Sequence, residues 1–222
     1  MRLTDISRCK SNKIKMKLSG ESKFFIAIAV GTLIMVTIGI FLMSRPAPKL
    51  TRAELIPASA ATLGNNQAAT FLVEFSDFQC PACKTFSSLV KEVVEKNKDN
   101  LFFSYRHFPL SQHKLAVPAA LAAEAAGEQG KFWEMHDYIF ANQESLSEEF
   151  LLAAADKLGL DKEKYEKAFK EKIYQDKINK DLSDGTKFGV DSTPTFFLNG
   201  EKLNLFSPKD LENAVSKAIK NN

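Results

Sequence analysis

An α/β domain, built on a central mixed β-sheet flanked by helices and carrying an inserted block of helices, preceded by one membrane-crossing helix, is the architecture this sequence predicts. Three observations carry it. An uncharged apolar run fills Phe24 to Met43, strand-forming runs alternate with helical periodicity from Thr70 onward, and a helical stretch from about Leu115 to Leu182 interrupts that alternation.

The N-terminal 23 residues hold seven basic side chains, from Arg2 to Lys23, against Asp5 and Glu21, a net of +5; the whole chain carries +3, so the remainder is −2. A slightly acidic folded part has no electrostatic footprint for nucleic acid, and that class of partner is set aside. The basic segment runs into F-F-I-A-I-A-V-G-T-L-I-M-V-T-I-G-I-F-L-M, residues 24–43. At about 1.5 Å per residue, about 20 such residues cross the roughly 30 Å hydrocarbon core of a bilayer. The excess of Lys and Arg before the run places the N-terminus in the cytoplasm and the rest of the chain outside it, in the periplasm or at the cell exterior. An uncleaved anchor is expected rather than a signal peptide. The run exceeds the roughly 7 to 15 residues of a signal-peptide core, and Ser44-Arg45-Pro46-Ala47-Pro48 offers no small-x-small cleavage site. Cys9 falls on the cytoplasmic side, as a spare thiol in a basic tail or, alternatively, a palmitoylation site.

Residues 44–69, with R-P-A-P-K and L-G-N-N-Q-A-A, read as a tether containing a short ordered piece around Leu50 to Ile56, and residues 70–220 read as the folded domain. T-F-L-V-E-F, Thr70 to Phe75, suits a buried central strand. Apolar residues at Phe86, Leu89, Val90, Val93 and Val94 predict an amphipathic helix over Lys84 to Lys98. Leu101 to Phe108 reads as a second strand, parallel to the first because a helix connects them. The helical block follows, with Ser147 and Asp161 opening two of its helices. Its length exceeds an ordinary connection, so it should pack as a subdomain. Thr195 to Leu198 is a strand, Asn199-Gly200 a type I′ turn, Glu201 to Leu205 its partner, and Ser207-Pro208 opens a last helix.

Between the first strand and its helix lies F-S-D-F-Q-C-P-A-C-K, with Cys80 and Cys83 two residues apart. Three chemistries use such a pair. A closed zinc site needs four ligands, and His107, His113 and His136 are not paired at zinc spacing. A passive disulfide across so small a loop adds little stability, because cross-link entropy grows with loop length. Redox exchange has the strongest physical case: outside the cytoplasm disulfides persist, and a helix N-terminus stabilises a thiolate. Cys80, at the helix entrance, is then the nucleophile and Cys83, one turn in, the resolving thiol. Pro81 suits an early helical position where its missing N–H is no loss. Glu74, a carboxylate in an apolar strand, has two readings: a charge on an edge strand facing water, or a buried acid serving Cys83 as proton donor and acceptor.

V-E-F-S-D-F-Q-C-P-A-C, G-E-Q-G-K-F-W-E-M-H-D and G-V-D-S-T-P-T-F-F-L-N-G, in that order around the helical block, resemble the thioredoxin-like disulfide oxidoreductases of the DsbA type over about Thr70 to Lys220. The resemblance implies a thioredoxin-like fold, a cis bond before Pro194, a Thr193-Pro194 turn beside the cysteines that pairs with extended substrate peptides, and a buried proton-shuttling role for Glu74. Trp133 then belongs to the core of the insertion. One residue departs: Ala82 stands where the best-known oxidases carry histidine. That removes a thiolate stabiliser and predicts a potential between about −120 mV and about −270 mV.

The expectation is a membrane-tethered thiol–disulfide oxidoreductase that introduces disulfides into exported proteins. Its pair would be reoxidised by a quinone-linked membrane partner of the DsbB or vitamin-K-epoxide-reductase type, with no metal or organic cofactor. The alternatives are a reductase or isomerase of the same fold and a non-catalytic membrane-anchored binding or chaperone module.

Overall fold

A computed structural model of the chain describes residues 20–43 and 49–221; Cys9, most of the basic N-terminal segment and the Ser44 to Pro48 part of the tether lie outside the described residues. Gly20–Met43 forms one helix, α1, which contains the window Phe24–Phe41 with a mean hydropathy of 2.6 and apolar side chains exposed along its length. Its 24 residues span about 36 Å, enough by length and composition to cross a bilayer.

The second unit begins at Lys49. Its elements are α2 (Arg52–Leu55), β1 (Ala61–Gly64), β2 (Thr70–Ser76), α3 (Pro81–Lys96), β3 (Leu101–His107), the helices α4 (Ala116–Gly127), α5 (Phe132–Ala141), α6 (Glu148–Leu158), α7 (Lys162–Lys170) and α8 (Gln175–Lys187), then β4 (Thr195–Leu198), β5 (Glu201–Lys202) and α9 (Pro208–Lys220). The sheet order is β1-β3-β2-β4-β5. β2 runs parallel to β3 and antiparallel to β4, which makes the sheet mixed and places β2 in its middle.

The apolar character of β2 follows from that position, because a central strand is covered on both faces. Leu72 joins the core formed with α3, α9 and the inserted helices, whereas Phe71, Val73 and Phe75 face Leu55, Phe108 and Phe197 on the other side. The inserted helices start and stop where local chemistry predicts. Ser147 and Asp161 accept N–H bonds from Phe150 and Lys164, and α6 ends on Gly159 at φ 61, a left-handed conformation that favours glycine. Ser207 and Asp210 form a capping box at α9, with Pro208 in its first turn. Asn199 (φ 49) and Gly200 (φ 85) give the positive dihedrals of a type I′ turn.

Two expectations are corrected. The short ordered piece expected around Leu50 to Ile56 is α2, opened by a Thr51–Glu54 capping box, but the tether expected through residue 69 gives way beyond it to β1, which pairs antiparallel with β3 at the sheet edge. Four residues, A-T-L-G, are too few for alternation to be read, and β1 is held in part by Gly64, which lies against the Leu101 carbonyl where no Cβ would fit. The strand expected over Glu201 to Leu205 stops at Lys202. After Leu203, whose N–H still reaches the Phe196 carbonyl at 2.8 Å, the chain leaves the ladder for the α9 cap.

Candidate functional site

β2 ends at Ser76, and Asp77 to Gln79 turn the chain into α3. The Asp77 carboxylate fixes this loop. It accepts the Gln79 N–H at 2.7 Å, the Leu110 N–H at 2.8 Å and a ring-nitrogen contact from His113 at 2.8 Å. Gln79 Oε1 accepts the Leu115 N–H at 2.7 Å, and Gln143 Nε2, from the inserted helices, donates to the carbonyls of Phe78 at 2.8 Å and Cys80 at 3.0 Å. The loop is thus tied on three sides before the cysteines begin.

Cys80 is the N-cap of α3 and Pro81 occupies its first turn. The two thiols differ sharply in surroundings, with Cys80 7% exposed and Cys83 fully buried. The Cys80 thiol is pulled down to about 5 from 9.0, first by the hydrogen bond from the Cys83 thiol, against the opposing effect of burial, then by the Thr193 hydroxyl and the N–H groups of Cys83 and Ala82. These are the free donors of a helix start, whose dipole also favours an anion. Cys83 moves the other way: burial, then the hydrogen bond its thiol gives to Cys80 and the negative charge of Glu74, push it far above its ordinary value. Its sulfur accepts the Asp77 N–H at 3.5 Å. One thiol is therefore an anion at neutral pH and the other keeps its proton, the asymmetry that ordered disulfide exchange needs.

Glu74 lies on the central strand and is 2% exposed, so the edge-strand reading is corrected. Burial raises its carboxyl to about 7, with the Ser76 hydroxyl opposing. Thr193–Pro194 is a cis peptide bond, and the Thr193 carbonyl oxygen lies 3.4 Å from Cys80 Sγ. Thr195 opens β4 opposite Phe75 of β2, which brings the turn against the start of α3. A groove of about 620 Å³ leads away from Pro194, lined by Phe86, Phe196, Leu203, Leu205 and Phe206, the last 97% exposed, and by the polar Asp191, Ser192, Thr195, Lys202 and Asn204. Pro81 and Ala82 stand exposed on the surface of α3.

The histidines have partners of other kinds. His107 Nε2 contacts Glu124 at 2.8 Å, His113 contacts Asp77, and His136 packs among Phe78, Tyr105 and Phe140. Among the described residues no group of three or more His, Cys, Asp or Glu is arranged to hold a metal. Trp133 donates to the Thr62 carbonyl at 3.2 Å and packs on Phe103 and Phe132, as part of the core. Sequence reasoning missed Asp77, Gln143, Ser76 and Tyr105. An Asp two residues before Gln79 in a turn is a readable signal; the reach of Gln143 across 63 residues to Cys80 is not.

A thioredoxin-type sheet, a C-P-A-C helix start facing a cis-proline turn, and helices inserted between them define a dithiol protein of thioredoxin fold. The family model described as Thioredoxin matches residues 58–217, and the chain belongs to that family. Among solved structures, a thioredoxin-like oxidoreductase from Silicibacter pomeroyi DSS-3 is 28% identical, with a TM-score of 0.65 over 77% of this chain and 99% of that one. BdbD from Bacillus subtilis in its oxidised form is 23% identical, with a TM-score of 0.66 over 78% of this chain and 100% of that one. The thiol-disulfide exchange protein alpha-DsbA2 from Wolbachia pipientis, 19% identical, gives 0.67 over 75% and 91%. The last two show a shared fold, including the helical insertion of the DsbA type. In sequence, the chain is 38% identical over 140 residues to a Na(+)/H(+) antiporter NhaA 1 of Salinispora arenicola, covering 63% of this chain and 21% of that protein. A second antiporter, NhaA 3 of Salinispora tropica, is 36% identical over 157 residues, 70% of this chain and 24% of that protein. The chain thus spans about a fifth to a quarter of the length of these curated relatives.

Proposed function

We propose that this protein is a thiol–disulfide oxidoreductase, held by α1 at the outer face of the cell membrane, that introduces disulfides into exported proteins. The observation that carries it is the pairing of a stabilised thiolate at Cys80, down to about 5, with a buried, protonated Cys83 beside an acid poised near 7. A substrate thiolate attacks Cys80 of the Cys80–Cys83 disulfide, forming a mixed disulfide and expelling the Cys83 thiolate. Cys83 takes a proton from Glu74. A second substrate thiolate then attacks the substrate sulfur of the mixed disulfide, which forms the substrate's own disulfide and leaves Cys80 as thiolate.

The Thr193-Pro194 turn and the mixed polar and aromatic groove beside it offer backbone groups and both kinds of side chain to an extended chain. A quinone-linked membrane protein of the DsbB or vitamin-K-epoxide-reductase type would accept the electrons; neither metal nor organic cofactor takes part. Antiport is not carried over from the NhaA relatives, since the aligned stretch is 21% of the Salinispora arenicola protein. Support for the oxidase direction comes from Cys80: a thiol at about 5 falls between roughly 7 for thioredoxin and roughly 3.5 for DsbA, and stabilising the thiolate makes the disulfide more oxidising.

Equilibration of the full chain in glutathione buffers tests the direction. A potential between about −120 and about −270 mV is expected, and a value at or below thioredoxin's about −270 mV overturns the oxidase assignment. Cys83→Ala in whole cells should accumulate mixed disulfides on Cys80 with exported proteins, whereas recovery of none would count against protein substrates.

A further inference from the structure

Beside Cys83, β2 and β3 bring polar side chains together where little else is polar. Alternation along β2 puts Glu74 and Ser76 on the same face as Leu72, the face covered by α3, and the parallel register sets Tyr105 of β3 opposite Glu74. Ser76 and Tyr105 are each 1% exposed, Glu74 is 2% exposed and Cys83 is fully buried. The hydroxyls of Ser76 and Tyr105 nevertheless make no hydrogen bond to a protein atom. Buried polar atoms are almost always paired, and one left unpaired in a site calls for a functional reason. The Ser76 hydroxyl lies within interaction range of Glu74, Cys83 and Tyr105 and favours the anion of each, without settling into hydrogen-bond geometry with any one of them. Tyr105 is held as a neutral phenol, its ionisation driven well above 10.0 by burial and by Glu74, so it adds no negative charge to the pocket. The other titratable groups facing this pocket are Cys80 from α3, Asp77 from the loop, His107 of β3, which stands opposite Ser76 with its Nε2 on Glu124 and its Nδ1 unbonded, and His136 of α5, which packs on the Tyr105 ring.

Resting on the exchange reading above, we infer that the Ser76 hydroxyl carries the proton between Glu74 and Cys83 whenever the Cys80–Cys83 disulfide opens or closes. On opening, the Cys83 thiolate takes the Ser76 hydroxyl proton as Ser76 takes the proton of the Glu74 carboxylic acid; the products are the Cys83 thiol, an intact Ser76 hydroxyl and the Glu74 carboxylate. On closing, the same transfers reverse, and the Cys83 thiolate so formed attacks the Cys80 sulfur of a mixed disulfide and expels the substrate thiolate. Serine suits the task because its hydroxyl both donates and accepts and rotates freely when unpaired.

The full-length reduced protein, in detergent micelles, is mixed with a chromogenic aryl disulfide in a stopped-flow instrument. The first coloured thiolate released reports attack by Cys80, the second reports closure by Cys83. Ser76→Ala should leave the first release unchanged, slow the second by about tenfold or more, change its solvent deuterium isotope effect, and abolish its inflection near pH 7. Its thermal midpoint should be equal to or above that of the wild type, because an unpaired buried hydroxyl is removed. A second release within about twofold of wild type with the inflection retained overturns the relay. A wild-type protein that gives no second release at all fails the exchange reading itself, which separates the two failures.

Discussion

Neighbouring residues of β3 face opposite sides of the sheet into two buried polar regions, and these regions are built on opposite rules. Arg106, fully buried, is bonded through all three of its side-chain nitrogens: Nε to Asp181 at 2.6 Å, Nη2 to Asp184 at 2.9 Å and Nη1 to the Leu55 carbonyl at 2.8 Å, with Phe75 beneath the guanidinium. Asp181 uses its second oxygen on the His107 N–H at 3.1 Å. Tyr105, one residue earlier, faces Glu74, Ser76 and Cys83, where two hydroxyls go unpaired. The first region joins α2, β3 and α8 through these contacts to one cation, although the hydroxyl of Ser104, two residues before Arg106 on the same face, is left unbonded. The second leaves two hydroxyls unbonded beside a buried acid and a buried thiol. A buried charge held by several partners acts as a structural joint, and on the relay proposed above unbonded hydroxyls beside a buried thiol are where a proton moves.

The comparison is broken most directly at Arg106. Arg106→Ala leaves Asp181 buried without its cation, and loss of one partner of a buried ion pair costs about 3–5 kcal/mol. Chemical denaturation of the full chain in detergent should show that loss, while the second thiolate release keeps its wild-type rate in the protein that remains folded. A loss below about 1 kcal/mol would mean the pairing is no joint.

Glu74 should behave in the reverse manner. Its folded value, about 7, stands above its ordinary 4.5. Below pH 4.5 the folded and unfolded chains are both protonated, and the neutral acid is tolerated. Between 4.5 and about 7 the unfolded chain loses a proton that the folded chain retains, so stability falls as pH rises, and above about 7 the full cost of roughly 3 kcal/mol is in place. Glu74→Leu removes this slope. The stability of the wild type relative to the variant should therefore decline by about 3 kcal/mol across that window, measured by denaturant midpoints in the reduced protein. The same variant should slow Cys83 closure by about a hundredfold. A flat difference profile would show Glu74 solvated rather than buried.

Much of this molecule is legible in its sequence, and the limits have physical causes. The C-P-A-C at a strand-to-helix junction, the Asn199-Gly200 turn and the Ser147, Asp161 and Ser207 caps are local chemistry, decided within a few residues. The cis-proline turn came from resemblance, since an ordinary X-Pro bond is cis in only about 5% of cases. β1 was missed because its four residues become a strand only by pairing with β3, and Gln143 because its target lies 63 residues away. Glu74 stood between two readings until the topology put β2 in the centre of the sheet. The paired and unpaired clusters were beyond any sequence pattern, because which hydroxyl lacks a partner depends on three elements meeting.

Gln143 tests a smaller coupling, between the inserted helices and the thiolate. Its amide donates to the Phe78 carbonyl at 2.8 Å and the Cys80 carbonyl at 3.0 Å, and the side chain is 9% exposed. The Cys80 carbonyl also accepts the Lys84 N–H at 3.2 Å, so it keeps a partner if the amide is removed. Gln143→Ala should therefore cost about 1–2 kcal/mol, the net worth of two neutral hydrogen bonds and not of a stranded charge. The loop before α3 would be held on fewer sides, and the N–H groups of Ala82 and Cys83 would meet the Cys80 sulfur less squarely. The thiolate titration of Cys80, followed by its ultraviolet absorbance from a wild-type midpoint near 5, should shift upward by no more than about one pH unit. Gln143→Glu should shift it further in the same direction, since a carboxylate cannot donate to either carbonyl and adds negative charge close to a thiolate. If neither variant moves the midpoint while both lower stability, the inserted helices only cover the site; an upward movement in both means that they tune it.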